Sequence, residues 1–249
     1  MEKTLDFRGN LIRAGGDAKT IKGNGEYLTA ILYMTPYKTL GANLCPMAET
    51  AGCLSGCLNT AGRGAMNSVQ RGRARKAEWF VRDRASFMAQ LDTDLSRFVA
   101  YCRKRGVQPA VRLNGTTDIQ WELIADEGLR TIFQRWPNIR FYDYTKIANR
   151  RLNIPNYHLT FSYSEASPVY LRQAEKAMSR GMNVAVVFRD KERMPAFFYG
   201  RRVVDGDKND LRFLDPRNVV VALYAKGNAK KDTSGFVIDY AGSNVKVAA

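Results

Sequence analysis

Histidine is almost missing from this chain: His158 is the single one in 249 residues. Metal motifs that pair two histidines are therefore excluded, and His158 is expected to be a hydrogen-bonding group facing an interior rather than a catalyst. No Gly-x-Ser-x-Gly elbow of a serine hydrolase occurs, and no Gly-x-x-x-x-Gly-Lys-Ser/Thr loop is present to cradle a nucleotide. No stretch approaches the roughly 18 to 20 apolar residues that span a bilayer. The segment Met1 to Asn10 lacks the apolar core of a signal peptide. The expectation is a cytoplasmic protein with no membrane contact. Four cysteines make no disulfide framework at this length, which fits a reducing compartment.

Acidic residues are also scarce, with 24 Asp and Glu against 39 Lys and Arg, for a net charge of +15. That excess attracts polyanions, nucleic acid or nucleotide first, although a merely solvated cationic surface gives the same composition. Arg63, Arg71, Arg73, Arg75 and Lys76 cluster at the start of a helical run over 65–105. Such a face can hold phosphates bidentately, or can simply be wet. Asp205, Asp207 and Asp210 lie in an acidic turn that suits solvent better than a divalent cation.

Of the four cysteines, three sit in one glycine-rich loop, Gly41 to Gly64. Seven residues separate Cys45 from Cys53, and three separate Cys53 from Cys57. Three thiols with no fourth nearby suit an iron–sulfur cluster, most simply [4Fe-4S], that leaves one iron open. A structural zinc site normally takes four ligands with closer pairs and is the alternative. Plain loop packing of small apolar side chains is the third reading. Cys102, in an amphipathic helical stretch, is expected to be a buried core thiol.

In chain order, residues 1–26 read as an irregular N-terminal arm and 27–249 as a single α/β domain with an irregular C-terminal part. The apolar run 27–35 is the first strand, and the cysteine loop follows it. After the helix over 65–105, strands at 109–114, 139–146, 157–164 and 182–188 alternate with helices at 121–136, 147–152 and 169–180, which indicates a parallel sheet with right-handed crossovers. The strands are not uniformly apolar. His158, Thr160, Ser162 and Ser164 alternate with Tyr157, Leu159, Phe161 and Tyr163, and Arg112 and Asn114 with Val111 and Leu113. One face packs on helices and the other lines something polar, the pattern of a partial or open (β/α) barrel.

Ligands in such folds bind at the C-terminal ends of the strands. Those ends carry the three cysteines, then Asn114, Gly115, Thr116, Thr117 and Asp118, then Asp143 and Lys146, then Ser162 and Glu165. Asp118, Asp143, Lys146, Ser162 and Glu165 are candidates for positioning a substrate. Thr117 and Asp118 also suit the capping of a helix that begins near Trp121.

Cys45-Pro46, Cys53, Cys57, the segment Arg112 to Asp118, the segment Phe141 to Lys146 and the tail Gly206 to Pro216 resemble the bacteriophage gene-product-eighty-eight family over roughly residues 27–240. That resemblance implies a phage protein acting in the host cytoplasm, with a host protein as a further class of partner. The layout is also similar to that of radical S-adenosylmethionine enzymes, although the cysteine spacing is wider and the Gly-Gly-Glu-Pro segment of that superfamily is missing. By that likeness Cys45, Cys53 and Cys57 would hold a [4Fe-4S] cluster, S-adenosylmethionine would be a cofactor, and Asn114 to Asp118 would contact its methionine moiety.

Overall fold

Two short strands precede the apolar run that the sequence offers as the first. In the computed structural model, which describes residues 5–15, 24–38 and 41–240, β1 (Phe7–Arg8) and β2 (Ile12–Ala14) form an antiparallel hairpin. β2 then pairs antiparallel with β3 (Tyr27–Leu32). Part of the expected irregular arm is thus sheet, while residues 1–4 and 16–23 lie outside the described residues, as do 39–40 just before the cysteine loop and 241–249 at the tail. Strands of two and three residues are too short to show alternation in a sequence. What fixes the hairpin is distant in the chain: the buried Asp94 carboxylate accepts from Leu11 N at 2.6 Å and from Ile12 N at 3.3 Å.

The helical run after the cysteine loop is two helices, α1 (Asn67–Arg82) and α2 (Arg84–Arg105). Asp83 leaves helical geometry between them, and its carboxylate accepts from Ser86 N at 3.1 Å, capping the second. β4 (Gln108–Arg112) follows, then α3 (Ile132–Arg135), β5 (Arg140–Thr145), β6 (Tyr157–Ser162), α4 (Pro168–Ser179) and β7 (Asn183–Phe188). The long helix expected over 121–136 is replaced by a 3-10 turn, Trp121–Leu123, and the single turn of α3. The short helix expected over 147–152 is irregular chain. Both departures have one cause, developed below: Glu122 and Arg150 turn inward to meet each other.

β3, β4, β5, β6 and β7 lie side by side, parallel and in chain order. Right-handed crossovers that always step to the next neighbour keep their connections on one face of the sheet. That face holds the main core, where Val111, Leu113, Phe141, Phe161 and Val184 meet Phe80, Phe87, Leu91, Phe98 and Tyr170 from the helices. Cys102 is fully buried there, as expected. Beyond β7 come β8 (Phe197–Phe198), β9 (Arg201–Asp205), β10 (Val220–Tyr224) and β11 (Val237–Ile238), giving the order β1-β2-β3-β4-β5-β6-β7-β10-β9-β8 with β11 also on β7.

The sheet is mixed and mostly parallel, and it does not close. β1 and β8 stand at the two ends of the order, so of the expected partial or open barrel the mostly parallel α/β sheet is present and it is open. The polar face foreseen in the alternation is present. Opposite the helices, Leu211 and Phe213 pack on Ala110, Tyr142 and Tyr27 at one end. The strand ends beyond that patch are left to line a cleft.

Candidate functional site: a cysteine-lined cleft

The cysteine loop is built from tight turns and then tied down from several sides. Asn43 Oδ1 accepts from Cys45 N at 3.0 Å, and the Cys53 thiol donates to Ala48 O at 3.5 Å. The Cys57 sulfur accepts from Asn59 N at 3.4 Å and so caps a 3-10 turn. Gly52 has φ +66, and a Cβ there would lie 2.6 Å from both Ala166 Cβ and Ser234 Oγ, so no other residue fits. Three serine hydroxyls hold the loop onto the sheet ends: Ser164 donates to Ala51 O at 2.8 Å, Ser167 to Thr50 O at 3.0 Å and Ser234 to Gly52 O at 3.0 Å. Asp118 N donates to Leu44 O at 2.8 Å, which joins the loop to the turn after β4.

The cleft between this loop and the sheet has a volume of about 400 Å³, toward the small end of ligand pockets. Cys45, Cys53 and Cys57 all line it. So do Asn114 to Asp118, Lys146 and Ser162, the predicted strand-end residues of β4, β5 and β6. The order of parallel strands explains the convergence, because each C-terminal end opens at the same edge. Arg112, Tyr144, Gly206, Asp207, Asn209 and Asp210 line it as well.

Not every predicted residue reaches the cleft as a free group. Asn114 organises its own turn: Oδ1 accepts from Thr117 Oγ1 at 2.8 Å, Ile119 N at 2.9 Å and Trp121 Nε1 at 3.1 Å. Thr116 donates to Met34 O at 2.6 Å. A Cβ on Gly115 would lie 2.6 Å from Ile31 and 2.7 Å from Leu32 O, so glycine is required for the turn to pass the end of β3. These residues offer the cleft mainly backbone.

Asp143 is a correction. It alternates to the helix face, fully buried, where it accepts from Asn114 N at 2.9 Å and from the Tyr157 hydroxyl at 3.1 Å. Burial pushes its carboxyl up to about 7, against the pull of Arg112 and Arg150. Glu165 is a second correction. It is exposed, accepts from the Tyr163 hydroxyl at 2.7 Å and does not line the cleft.

Asp118 touches the cleft but is committed elsewhere, and it does not cap the turn at Trp121, whose N-cap is Gln120. Its Oδ1 meets Arg150 Nη1 at 3.0 Å and its Oδ2 accepts from Lys146 N at 2.7 Å. Arg150 is the residue that sequence reasoning passed over. It is fully enclosed, and it donates to Glu122 Oε1 at 2.5 Å, Glu122 Oε2 at 2.7 Å, Thr145 Oγ1 at 3.0 Å and Tyr157 Oη at 3.1 Å besides Asp118. A buried cation needs partners of this number and charge, and they come from three segments besides its own: the turn after β4, the end of β5 and the start of β6. Only a buried arginine inside a stretch read as a helix could have signalled it, and nothing in the sequence marked it as buried.

The basic cluster on α1 does not present one face. Arg73 is buried and clamps the cysteine loop, its Nη1 donating to Asn59 O at 2.6 Å and to Asn59 Oδ1 at 2.8 Å. Lys76 donates to Leu11 O at 2.6 Å, and burial lowers it to about 8. Arg63, Arg71 and Arg75 remain exposed.

Two of these cysteines, Cys45 and Cys53, are held as thiols by their surroundings. Burial pushes Cys45 up to about 12 and raises Cys53, while the neighbouring Lys146 pulls both down. Cys53 and Cys57 lie close enough to add to the rise at Cys45, and Cys57 adds to that at Cys53. Among the described residues, no three His, Cys, Asp or Glu side chains converge as the ligands of a single metal ion must. In a cluster each cysteine takes its own iron, so the sulfurs stand farther apart, and a soft three-thiol donor set suits it.

The fold and the cleft define a class: an open, mostly parallel α/β sheet whose strand ends and a three-cysteine loop enclose a small-molecule-sized cavity. The family model described as Gene product 88 matches residues 8–240, and the chain belongs to that family. No curated protein and no solved structure matches it. No helix among the described residues is long and apolar enough to cross a membrane.

Proposed function

We propose that this protein is an iron–sulfur enzyme of the radical S-adenosylmethionine type, with Cys45, Cys53 and Cys57 as ligands of a [4Fe-4S] cluster in the cleft. The observation that carries the reading is the placement of all three thiols, with Lys146, on one enclosed cavity at the C-terminal edge of a parallel sheet. When bound, the cluster would supply one-electron reduction, chemistry that side chains do not provide. The protein's own part is to bind, orient and exclude water. The serine ties and the Arg73 clamp fix the loop, and the Asn114 turn fixes the backbone that faces any ligand. Lys146 offsets part of the negative charge that three thiolates would bring. Ligation requires deprotonated sulfur, so loading releases protons and strengthens with pH. The substrate would be a nucleotide or a related small molecule of the phage-infected cell.

The test is iron and sulfide analysis of the full chain prepared and reconstituted without oxygen. About four of each per chain, with a brown colour, is the expected result. Cys45→Ala, Cys53→Ala and Cys57→Ala should each abolish it. A colourless wild-type protein, or iron that survives all three substitutions, would overturn the proposal.

A second reading keeps the protein as a non-enzymatic nucleic-acid binder, favoured by the net charge of +15 and the exposed Arg63, Arg71 and Arg75. It requires steep weakening of binding with salt and loss of affinity when those three arginines are replaced.

A further inference from the structure

The floor of the cleft, on β4 and β5, carries polar groups whose hydrogen bonding the fold leaves incomplete. Arg112 is 2% exposed and lines the cleft. Its Nη1 donates to Asp210 Oδ2 at 2.8 Å, and the guanidinium lies over the Tyr144 ring at 5.1 Å and the Tyr142 ring at 5.7 Å. Its Nε is buried with no hydrogen-bond partner. The Tyr144 hydroxyl, on the neighbouring strand and also lining the cleft, is buried without a partner too, and so is Thr35 Oγ1 at the cleft wall.

Buried donors are rarely left unmade, because each costs about 1–3 kcal/mol and more when charged. Three on one cavity point to something that satisfies them when it arrives. All three can donate, and the two carboxylates that line this side of the cleft already accept, Asp210 from Arg112 and Asp207 from Lys226 Nζ at 2.7 Å, while Asp215, whose Oδ2 is buried without a hydrogen bond, does not line it. The missing partner is therefore an acceptor. A guanidinium whose Nε has no partner, lying over the Tyr142 and Tyr144 rings, presents the fork that matches carboxylate and phosphate oxygens.

We propose that Arg112, through Nε, and Tyr144, through its hydroxyl, form a binding subsite for an oxyanion of the substrate, a phosphate or a carboxylate, with Thr35 at its margin. A cavity of about 400 Å³ takes a molecule of nucleotide size, not a duplex. The inference rests on reading the cleft as a ligand site, as proposed above, but not on the presence of iron.

The test is titration calorimetry on the full chain with inorganic pyrophosphate, a nucleoside monophosphate and succinate, and with the uncharged nucleoside as control. Oxyanion ligands should bind and the nucleoside should bind at least about tenfold more weakly. The ranking of the phosphate compounds against succinate identifies the source of the oxyanion. Tyr144→Phe should weaken binding about three- to tenfold with its thermal unfolding unchanged, since that hydroxyl has no partner to lose. Arg112→Lys keeps the charge and loses the fork, and should weaken it at least tenfold. No oxyanion affinity at millimolar concentration would overturn the inference. So would binding that both variants retain in full, the sign of adventitious attraction to a basic surface. Iron-free protein that binds and responds to Tyr144→Phe would leave this subsite standing while the cluster reading falls. Iron-loaded protein without oxyanion affinity would do the reverse.

Discussion

Two buried arginines, one on each side of the same sheet, show how this molecule divides its labour. Arg150 sits on the helix side, where two carboxylates, a hydroxyl from Thr145, the Tyr157 hydroxyl and the Ile119 carbonyl take up its donors. Arg112 sits on the cleft side, equally buried, with one carboxylate and an Nε that meets nothing. A fully satisfied buried cation fixes structure, joining the turn after β4 to the loop after β5. A partly satisfied one at a cavity is held ready for a ligand. The difference teaches that residues facing the helices should govern stability, and residues facing the cleft should govern binding.

The largest effect that would break this division belongs to Arg150→Met. It strands Glu122 and Asp118 as buried carboxylates without their cation, and the cost should be about 3–5 kcal/mol. Urea unfolding reads it directly. A loss below about 1 kcal/mol would show that the network is not what joins these segments, and the contrast between the two arginines would fail.

A smaller effect on the helix side appears in pH. Asp143 is held at about 7 by burial, whereas its ordinary value is 3.8. The folded state therefore keeps a proton between those values that the unfolded chain has released, so this group's contribution to stability falls as pH rises from about 4 to about 7. His158, lowered to about 4 by burial, contributes in the opposite direction up to its ordinary 6.5. That second contribution is common to wild type and variant and cancels in their difference. Asp143→Asn should gain on wild type by on the order of 1–3 kcal/mol between pH 5 and 8, followed by thermal or urea unfolding at each pH. A difference that stays flat across that range would mean that the carboxylate is charged throughout.

How far the sequence discloses this arrangement depends on the distance over which each feature is specified. The parallel strands and the two-faced alternation of Thr160 and Phe161, or Arg112 and Val111, are written in neighbouring residues and are legible. The same holds for the three cysteines, Lys146 and Ser162, which parallel winding brings to one edge. The hairpin β1–β2 is not legible, because Asp94 fixes it from more than 80 residues away. Arg150 reads as one of many surface cations, since its burial depends on four segments meeting. Asp143 misleads for a simpler reason. Strand ends are where ligands bind, but only alternate residues point to the ligand, and Asp143 is on the wrong parity. The open edge of the sheet is likewise unreadable, since closure depends on strand pairing far along the chain.

The smallest effects give the cleanest contrast, because they compare one atom on each face. Tyr157 and Tyr144 are each burdened by burial, but the Tyr157 hydroxyl donates to Asp143 and accepts from Arg150, whereas the Tyr144 hydroxyl meets no partner. Removing the first leaves a carboxylate and a guanidinium each short of a bond, so Tyr157→Phe should cost about 1–3 kcal/mol. Removing the second takes away a desolvated group that earns no bond in the ligand-free protein, so Tyr144→Phe should change stability by less than about 0.5 kcal/mol, or raise it. Both substitutions keep the ring and its packing, which confines the difference to the oxygen. If Tyr144→Phe proved as destabilising as Tyr157→Phe, the cleft hydroxyl would be serving the fold. The distinction between a supporting face and a binding face would then disappear at the atom where it is sharpest.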